Sequence, residues 1–371
     1  RSHYGIDQIF LQKLKYRYPA MNILFDIYHP AHVHLFRNAI KTLESKGHHV
    51  IVTARDKDVT LQLLESYQIP HILLSKAQKG YLGLGIELIK RQWKLFPILR
   101  KNKIDVCVSA TGACSVHVCK LLGIPSLVFY DTEHAKIQNA LTISFATRFM
   151  TPDSFQRRYG KKHLTYNSLH ELAYLHPKYF SPDPNIFELL KMPFGSKFVF
   201  LRFVSWNAAH DVGQKGLSLN MKRKIIQICS QYARVIISSE AKMDAEFEEY
   251  RFAIAPEKMH DVLYYAEMCI SEGGTTATEA AILGTPSIHF SSTGKYCGVF
   301  KDLEKNYDLL HVTEKEDDLL QKVGDLFSQD NLKANWQLKR EKLLENKVSL
   351  TDYLLNRIEE TFNEKQKNIA S

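Results

Sequence analysis

Residues 268–286 read MCISEGGTTATEAAILGTP, and this stretch decides the fold prediction for the chain. The apolar run Met268–Ser271 predicts a buried strand, Gly273 and Gly274 predict a turn, and residues 275–283 have helical spacing. Two glycines let backbone N–H groups approach a ligand closely, and the dipole at a helix N-terminus favours anions. The stretch therefore predicts an α/β domain with a phosphate site at the turn.

The side chains of this stretch add to the predicted chemistry. Thr275 and Thr276 place hydroxyls at the start of the helix, and Glu279 lies one turn inside it. A carboxylate there would repel phosphate, but it can accept hydrogen bonds from the two hydroxyls of a ribose. A plain strand–helix turn, with Glu279 as a first-turn acid, explains the residues equally well. From the residues alone, nucleotide binding and a structural turn remain alternatives.

Short apolar runs and helical patterns also alternate along the rest of the chain. In the first half, the predicted strands are residues 22–27, 49–53, 71–74, 105–109 and 126–130. This alternation is typical of βαβ units and parallel sheets. The proline-rich segment 181–185 (SPDPN) predicts a linker, after which the alternation restarts.

We therefore predict an α/β protein with two Rossmann-like, doubly wound parallel-sheet domains that face each other across a cleft. The first domain covers residues 21–183 and the second covers residues 184–345. Residues 1–20 are interpreted as an N-terminal extension and residues 346–371 as a C-terminal helix. Ligands of such sheets bind beyond the carboxyl ends of the strands, so we expect the site in the cleft.

The bulk composition narrows the choice of partners. The chain has 371 residues and a net charge of +9. Its 45% of hydrophobic residues is ordinary for a soluble globular protein. The positive charge favours an anionic partner, such as a nucleotide or an acidic membrane surface. No motif that reads DNA or RNA is present, so we expect no nucleic acid partner. With no secretory signal and no apolar run of about 18 residues, we expect a cytoplasmic protein.

Residues 254–290 resemble the nucleotide-sugar signature of glycosyltransferase-B proteins. They are similar to the peptidoglycan N-acetylglucosaminyltransferase and to the non-hydrolysing UDP-N-acetylglucosamine 2-epimerases, through TATE at 276–279 and LGTP at 283–286. The resemblance implies that Glu279 binds ribose and that the loop near His260 frames the base. It also implies no metal and no other cofactor, and a diphosphate held by Gly273, Gly274, Thr275 and Thr276.

A wider resemblance, over residues 21–345, is to an uncharacterised archaeal and bacterial family of the same superfamily. The matching segments are HPAHVH at 29–34, DTEHA at 131–135, ELAYLHP at 171–177, RFVSWNAAHD at 202–211 and EGGTTATEAAILGTP at 272–286. This resemblance implies the glycosyltransferase-B fold for nearly the whole chain.

Three histidines, His29, His32 and His34, follow the first predicted strand and open the first helix. That position faces the cleft, and a histidine there can deprotonate an acceptor hydroxyl because its ordinary pKa is about 6.5. The loop resembles the P-A-x-G-H turn of glycosyltransferase-B enzymes, which implies His34 as the general base. Val33 replaces the glycine of that turn, so His32 or His29 remains an alternative. Helix capping and metal binding are the other interpretations.

Asp131 and Glu133 follow the predicted strand 126–130 and are expected to reach the same cleft. Together with His134 they could act as acid and base. The 2-epimerases carry a catalytic glutamate in a comparable loop, but their companion aspartate is replaced here by Ser-Ala-Thr-Gly at 109–112. That difference counts against epimerase chemistry. Capping of the next helix by the two carboxylates is the structural alternative.

Three residues at predicted strand ends in the second half complete the candidate site. Arg202 ends the strand 198–203 and could clamp a diphosphate. Ser239 and Glu240 end the next strand and could contact the nucleotide or the sugar. Structural roles explain each of them equally well.

Residues 81–103 mix leucine, isoleucine, Trp93 and Phe96 with six lysines and arginines. A basic amphipathic helix of this kind can dock on an anionic membrane surface. A helix packed on the core with a solvated basic face is the ordinary alternative.

These observations predict a glycosyltransferase that moves a sugar from a nucleotide-sugar, with UDP favoured, to a hydroxyl of a glycan or a lipid-linked acceptor. It would act in the cytoplasm or at the inner face of the plasma membrane. An enzyme similar to the 2-epimerases and a non-catalytic nucleotide-sugar-binding protein are the alternatives.

Overall fold

A computed structural model describes residues 20–78, 80–133, 136–204, 216–239, 243–292, 294 and 297–370. The predicted extension 1–20 thus lies, apart from Ala20, outside the described residues. The strands in the described part are β1 (Asn22–Ile27), β2 (His49–Asp56), β3 (Ile72–Lys76), β4 (Val106–Ser109), β5 (Ser126–Phe129), β6 (Arg148–Pro152), β7 (His163–Tyr166), β8 (Phe198–Phe203), β9 (Arg234–Ser239), β10 (Met268–Ser271), β11 (Ser287–Phe290) and β12 (Leu310–Thr313).

The α-helices lie between and after these strands. They are α1 (Pro30–Ser45), α2 (Thr60–Ser66), α3 (Gly80–Lys101), α4 (Ser115–Leu122), α5 (Lys136–Ile143), α6 (Ile186–Leu189), α7 (Leu219–Ser230), α8 (Met259–Tyr265), α9 (Gly274–Ile282), α10 (Gly298–Lys305), α11 (Glu316–Phe327), α12 (Leu332–Asn346) and α13 (Leu350–Ala370). Short 3-10 helices occupy Gly160–Lys162, His170–Ala173, Ala245–Tyr250 and Pro256–Lys258.

The strands form two separate parallel sheets. The first has seven strands in the order β3-β2-β1-β4-β5-β6-β7, and the second has five in the order β12-β11-β10-β8-β9. Every paired strand in both sheets runs parallel to its neighbour. This architecture confirms the predicted pair of doubly wound domains. The five strands predicted in the first half are found as β1 to β5, with small differences at their ends.

Burial explains why the central strands read as continuous apolar runs. Helices cover both faces of a parallel sheet, so an inner strand meets no water on either side. β1 (NILFDI) and β8 (FVFLRF) lie inside their sheets and are buried along almost their whole length. The polar residues that follow such strands are therefore concentrated at the sheet edges, where a ligand can reach them.

The C-terminal helix α13 returns to the first domain. Thr351 Oγ1 donates a hydrogen bond to the carbonyl of Ala173 at 2.7 Å. Lys365 Nζ lies 3.2 Å from a carboxylate oxygen of Asp105, at the start of β4. The helix thus belongs to the helical layer of the first domain, although it follows the second domain in sequence. No helix in the described part of the chain is long and apolar enough to cross a membrane.

Candidate active site

The predicted phosphate turn lies between β10 and α9. Ser271 braces it, since its hydroxyl accepts from the Gly273 amide at 3.0 Å and donates to the Gly273 carbonyl at 2.8 Å. A Cβ added to Gly274 would lie only 2.6 Å from the ring of Phe300, so this position needs glycine. The first amides of α9 have no partner within the helix and can face a ligand. Residues Gly273 to Thr276, hereafter the cradle, are half-buried or exposed.

Glu279 is buried one turn inside α9 and binds residues from two other elements. Its Oε1 accepts a hydrogen bond from the Tyr174 hydroxyl at 2.8 Å and lies 3.0 Å from His260 Nε2. Tyr174 belongs to the segment ELAYLHP, which follows β7 near the end of the first domain. The structure therefore brings Glu279 and His260 together, and it adds Tyr174, which the sequence interpretation did not assign to the site.

His34 of α1 reaches the same cluster from the first domain. Its ring centroid lies 4.7 Å from that of His260 and 5.3 Å from that of Tyr174. Its Nδ1 lies 3.3 Å from the Tyr67 hydroxyl. Burial, followed by the charges of His260 and Arg37, holds the pKa of His34 well below its usual 6.5. His34 does face the second domain as predicted, but it is packed among other rings.

The other two histidines of the loop brace the start of α1. His29 Nδ1 accepts from the Ala31 amide at 3.2 Å, and His32 Nδ1 accepts from the Tyr28 amide at 3.2 Å. Burial lowers the pKa of both, that of His29 to about 4. This geometry matches the capping interpretation. In the residues that the structure describes, no group of three or more His, Cys, Asp and Glu side chains is arranged to hold a metal ion.

Asp131 pairs with a histidine that the sequence interpretation did not single out. Its Oδ2 lies 3.1 Å from His170 Nδ1, in the 3-10 helix after β7. Burial opposes charge on both groups, but their attraction prevails: it lowers the pKa of Asp131 to about 2 and raises the pKa of His170. The next residue, Glu171, accepts from the Thr278 hydroxyl of α9 at 2.8 Å. Burial raises the pKa of Glu171 to about 7.

Glu133, the second predicted acid of this loop, binds backbone amides. Its Oε1 accepts from the Gln156 amide at 2.8 Å, and the Gly298 amide also donates to the carboxylate. Burial raises its pKa. A Cβ added to Gly298 would lie 2.0 Å from the Ser154 carbonyl oxygen, so the two domains are in close contact here. Glu133 thus joins a loop of the first domain to the start of α10.

Arg202 lies at the carboxyl end of β8, in register with Ser271 of β10 and Ser238 of β9. Its guanidinium donates to the Ser238 hydroxyl at 2.6 Å. Ser239 is half-buried at the end of β9. The backbone of Arg202 thus lies one strand from Ser271, which braces the cradle, and its guanidinium contacts Ser238 on the opposite neighbouring strand. Glu240, His134 and residues 205–211 of the segment RFVSWNAAHD lie outside the described residues.

A surface depression of about 460 Å³ lies away from this cluster, and residues 230–235 line part of it. It is at the amino end of β9, whereas ligands of parallel sheets bind at the carboxyl ends. We therefore give it no part in the candidate site.

The chain matches a known protein family and a known protein in sequence. A family model described as "Protein of unknown function (DUF354)" matches residues 21–350. An uncharacterized protein of Methanocaldococcus jannaschii is 23% identical over 279 residues, which cover 72% of this chain and 81% of that protein.

Two of the similar solved structures illustrate the fold. Spinosyn forosaminyltransferase SpnP matches with a TM-score of 0.64 at 14% identity, over 93% of this chain and 100% of its own. A UDP-GlcNAc 2-epimerase from Neisseria meningitidis, bound to UDP-GlcNAc, matches with a TM-score of 0.65 at 11% identity, over 92% and 100%. These matches confirm the predicted glycosyltransferase-B fold.

Proposed function

Because the chain belongs to the family described as "Protein of unknown function (DUF354)" and has the glycosyltransferase-B fold, we propose that it is a glycosyltransferase with a nucleotide-sugar donor. One observation carries the proposal. The cradle and Glu279 of the second domain face acid–base side chains of the first domain, and these side chains include His34, Asp131 and His170.

The donor would lie along α9. Its diphosphate would accept hydrogen bonds from the free amides of the first turn, with Arg202 alongside as a clamp. Its ribose would donate to Glu279, where it would share or replace the hydrogen bond of the Tyr174 hydroxyl. Similar folds that bind UDP-GlcNAc support UDP as the nucleotide for this chain.

Two observations favour transfer over 2-epimerisation. Ser-Ala-Thr-Gly stands at 109–112, where the resemblance to 2-epimerases would require an aspartate. Glu133, at the position of their catalytic glutamate, is engaged by the amides of Gln156 and Gly298. A non-catalytic binding protein would keep the cradle but would have no use for the acid–base groups opposite it.

The first test is donor binding. A thermal-shift screen of nucleotide-sugars selects the donor, because a ligand stabilises the state that binds it. Glu279→Gln should weaken calorimetric binding of UDP by about 1–3 kcal/mol, the usual loss for a charge-assisted hydrogen bond. Glu341→Gln, at an exposed position on α12, is the matched control. Equal UDP affinity of Glu279→Gln and wild type would contradict the ribose assignment.

The second test separates the three candidate functions. Passage of label from the sugar of the donor to a hydroxyl acceptor supports a transferase. Exchange of the hydrogen at sugar C2 in heavy water, without transfer, would identify an epimerase. Binding without either reaction would leave a binding protein.

We also propose that α3 contacts an anionic membrane and so brings the protein to a lipid-linked acceptor. The helix exposes a row of apolar side chains and buries two charged ones. Leu82, Ile86, Ile89 and Trp93 follow each other along one face and are 86%, 54%, 57% and 78% exposed. Glu87 and Arg91 are buried on the opposite side. Another side of the helix packs Leu95 and Leu99 into the core, so the exposed apolar row is the feature that favours a membrane contact.

The charges around this apolar stripe fit an anionic surface. Lys90, Arg100 and Lys101 are exposed on the same helix. Its one carboxylate, Glu87, is neutralised by Arg55 at 2.6 Å. An exposed apolar row with basic flanks is the composition of helices that lie in a membrane interface.

Vesicle sedimentation tests this contact. The protein should sediment with phosphatidylglycerol vesicles at low salt and much less at 1 M salt, where the Debye length is about 3 Å. Ile89→Ser with Trp93→Ser should abolish sedimentation, whereas Leu338→Ser, at an exposed leucine of α12, should not. Failure of the wild-type protein to sediment at low salt, or unchanged sedimentation of the double variant, would contradict the proposal.

A further inference from the structure

Three buried polar atoms near the cradle have no hydrogen-bond partner among the described residues. They are Tyr166 Oη, His170 Nε2 and Glu171 Oε2. Tyr166 and His170 stack with their ring centroids 6.4 Å apart, and Glu171 directly follows His170. Buried polar atoms in proteins are nearly always hydrogen-bonded, so a group of unpartnered atoms calls for an explanation such as a bound ligand.

One contact and one electrostatic effect place this group on the phosphate side of the candidate site. Glu171 accepts from the Thr278 hydroxyl, which also contacts the carbonyls of Gly274 and Thr275 in the first turn of α9. Burial raises the pKa of the Cys297 thiol, and the negative charge of Asp131 adds to this rise. Cys297 immediately precedes α10.

The start of α10 is itself part of the phosphate side, because the ring of Phe300 limits the space beside Gly274. His34 lies at the other side, against the His260 ring that contacts Glu279. In a donor that lies along α9, the reacting sugar follows the diphosphate. His170 is therefore the histidine nearer to the chemistry, and His34 is nearer to the ribose.

The pair also has the geometry of an activated imidazole. Asp131 contacts Nδ1, which keeps the proton on that nitrogen and leaves the lone pair of Nε2 to accept another. His34 differs, because the Tyr67 hydroxyl contacts its Nδ1 and three rings surround it.

We propose that His170 is the catalytic base of the glycosyltransferase and that Asp131 is its positioning residue. This inference rests on the proposed function and assigns a residue to its central step. His170 Nε2 takes the proton of the acceptor hydroxyl, and the oxygen forms a bond to the anomeric carbon. The bond from that carbon to the diphosphate oxygen breaks, and its electron pair leaves with the nucleoside diphosphate. The amides of the cradle stabilise the negative charge of the leaving group. Such a single displacement inverts the configuration at the anomeric carbon.

The test measures release of UDP from the donor that the thermal-shift screen selects, with water and octyl glucoside as hydroxyl acceptors. His170→Gln should lower kcat by about 100- to 10,000-fold, the usual effect of losing a general base. The calorimetric affinity for the donor should change little, which also shows that the variant is folded. His71→Gln, in the segment before β3, is the matched control and should keep wild-type turnover.

A second variant, Asp131→Asn, tests the positioning role through the pH dependence of kcat/KM, which a purely structural role of Asp131 would not shift. The groups around His170 are Asp131, Glu171, His32 and Tyr166, and Asp131 raises its pKa. The base acts only when deprotonated, so activity falls below the pKa of His170. Removing the Asp131 charge lowers that pKa, and the acidic limb of the kcat/KM profile should move to lower pH. If His170→Gln does not fold, the shift of the acidic limb in Asp131→Asn tests the proposal instead.

Three results would overturn the assignment. Turnover of His170→Gln within a few-fold of wild type would do so, as would retention of configuration in the product. A large loss of turnover in His34→Ala, together with an active His170→Gln, would identify His34 as the base. If the wild-type protein binds a donor but never turns it over, the proposed function fails together with this inference. An active wild type with an active His170→Gln contradicts the base assignment alone.

Discussion

Arg91→Met should destabilise the first domain by about 3–5 kcal/mol, because it leaves a buried carboxylate without its partner. Arg91 is completely buried in α3, and its guanidinium lies 2.7 Å from Asp26 Oδ1 at the end of β1. The Thr53 hydroxyl donates to the same oxygen at 2.9 Å. Asp26 is 4% exposed, so water cannot replace the lost cation.

Urea unfolding measures this effect when it is applied to three proteins: the wild type, Arg91→Met, and the double variant Arg91→Met with Asp26→Leu. The double variant should recover much of the loss, since replacing both charges by apolar groups removes the unpaired ion. Arg223→Met, which breaks an exposed ion pair with Glu246, should change stability little. A small loss of stability in Arg91→Met would contradict this prediction.

The second large effect concerns pH and the contact between the domains. Burial raises the pKa of Glu171 to about 7, whereas the pKa of a glutamate in the unfolded chain is about 4.3. The folded state therefore binds the proton more tightly than the unfolded state. This contribution to stability is complete below about pH 4.3 and is lost as the pH rises to about 7.

The raised pKa of Glu171 corresponds to about 3–4 kcal/mol of stability across that window. Glu171→Gln has no proton to lose, so it should be less sensitive to pH than the wild type and more stable than it at pH 8. Thermal unfolding of both proteins at pH 5 and pH 8 measures the difference. Glu171 accepts a hydrogen bond from Thr278 across the domain boundary, so this titration takes place where the two domains meet. Parallel pH curves for the two proteins would show that Glu171 is ionised throughout.

Local sequence patterns were sufficient for the elements that form the candidate donor site. The run of apolar residues, two glycines and a small-residue helix at 268–283 predicted β10, the turn and α9, and all three are present. The bonds of Ser271 to Gly273 are short-range consequences of the same residues. Neighbours in sequence set these features, so a reader of the sequence can find them.

The acid–base pair depended on contacts between distant elements. Asp131 follows β5, but His170 reaches it only because β5, β6 and β7 pair side by side in the first sheet. No spacing rule links the two residues. For the same reason, the amides that occupy Glu133 come from Gln156 and Gly298, in different domains, and their presence could not be inferred from the loop itself.

The amino-acid sequence by itself determined the alternation of strands and helices, the two-domain parallel architecture and the glycine turn that begins α9. Each of these follows from periodicity and from backbone freedom over a few residues. Only the tertiary structure decided which face of α3 is exposed. Arg91 pairs with Asp26 and Glu87 pairs with Arg55, and these buried ion pairs leave the apolar row of the helix exposed. The tertiary structure also decided which histidine has a carboxylate partner and where α13 packs. A buried charge takes its partner from wherever the fold brings one, and that choice is made by three-dimensional packing and not by position along the chain.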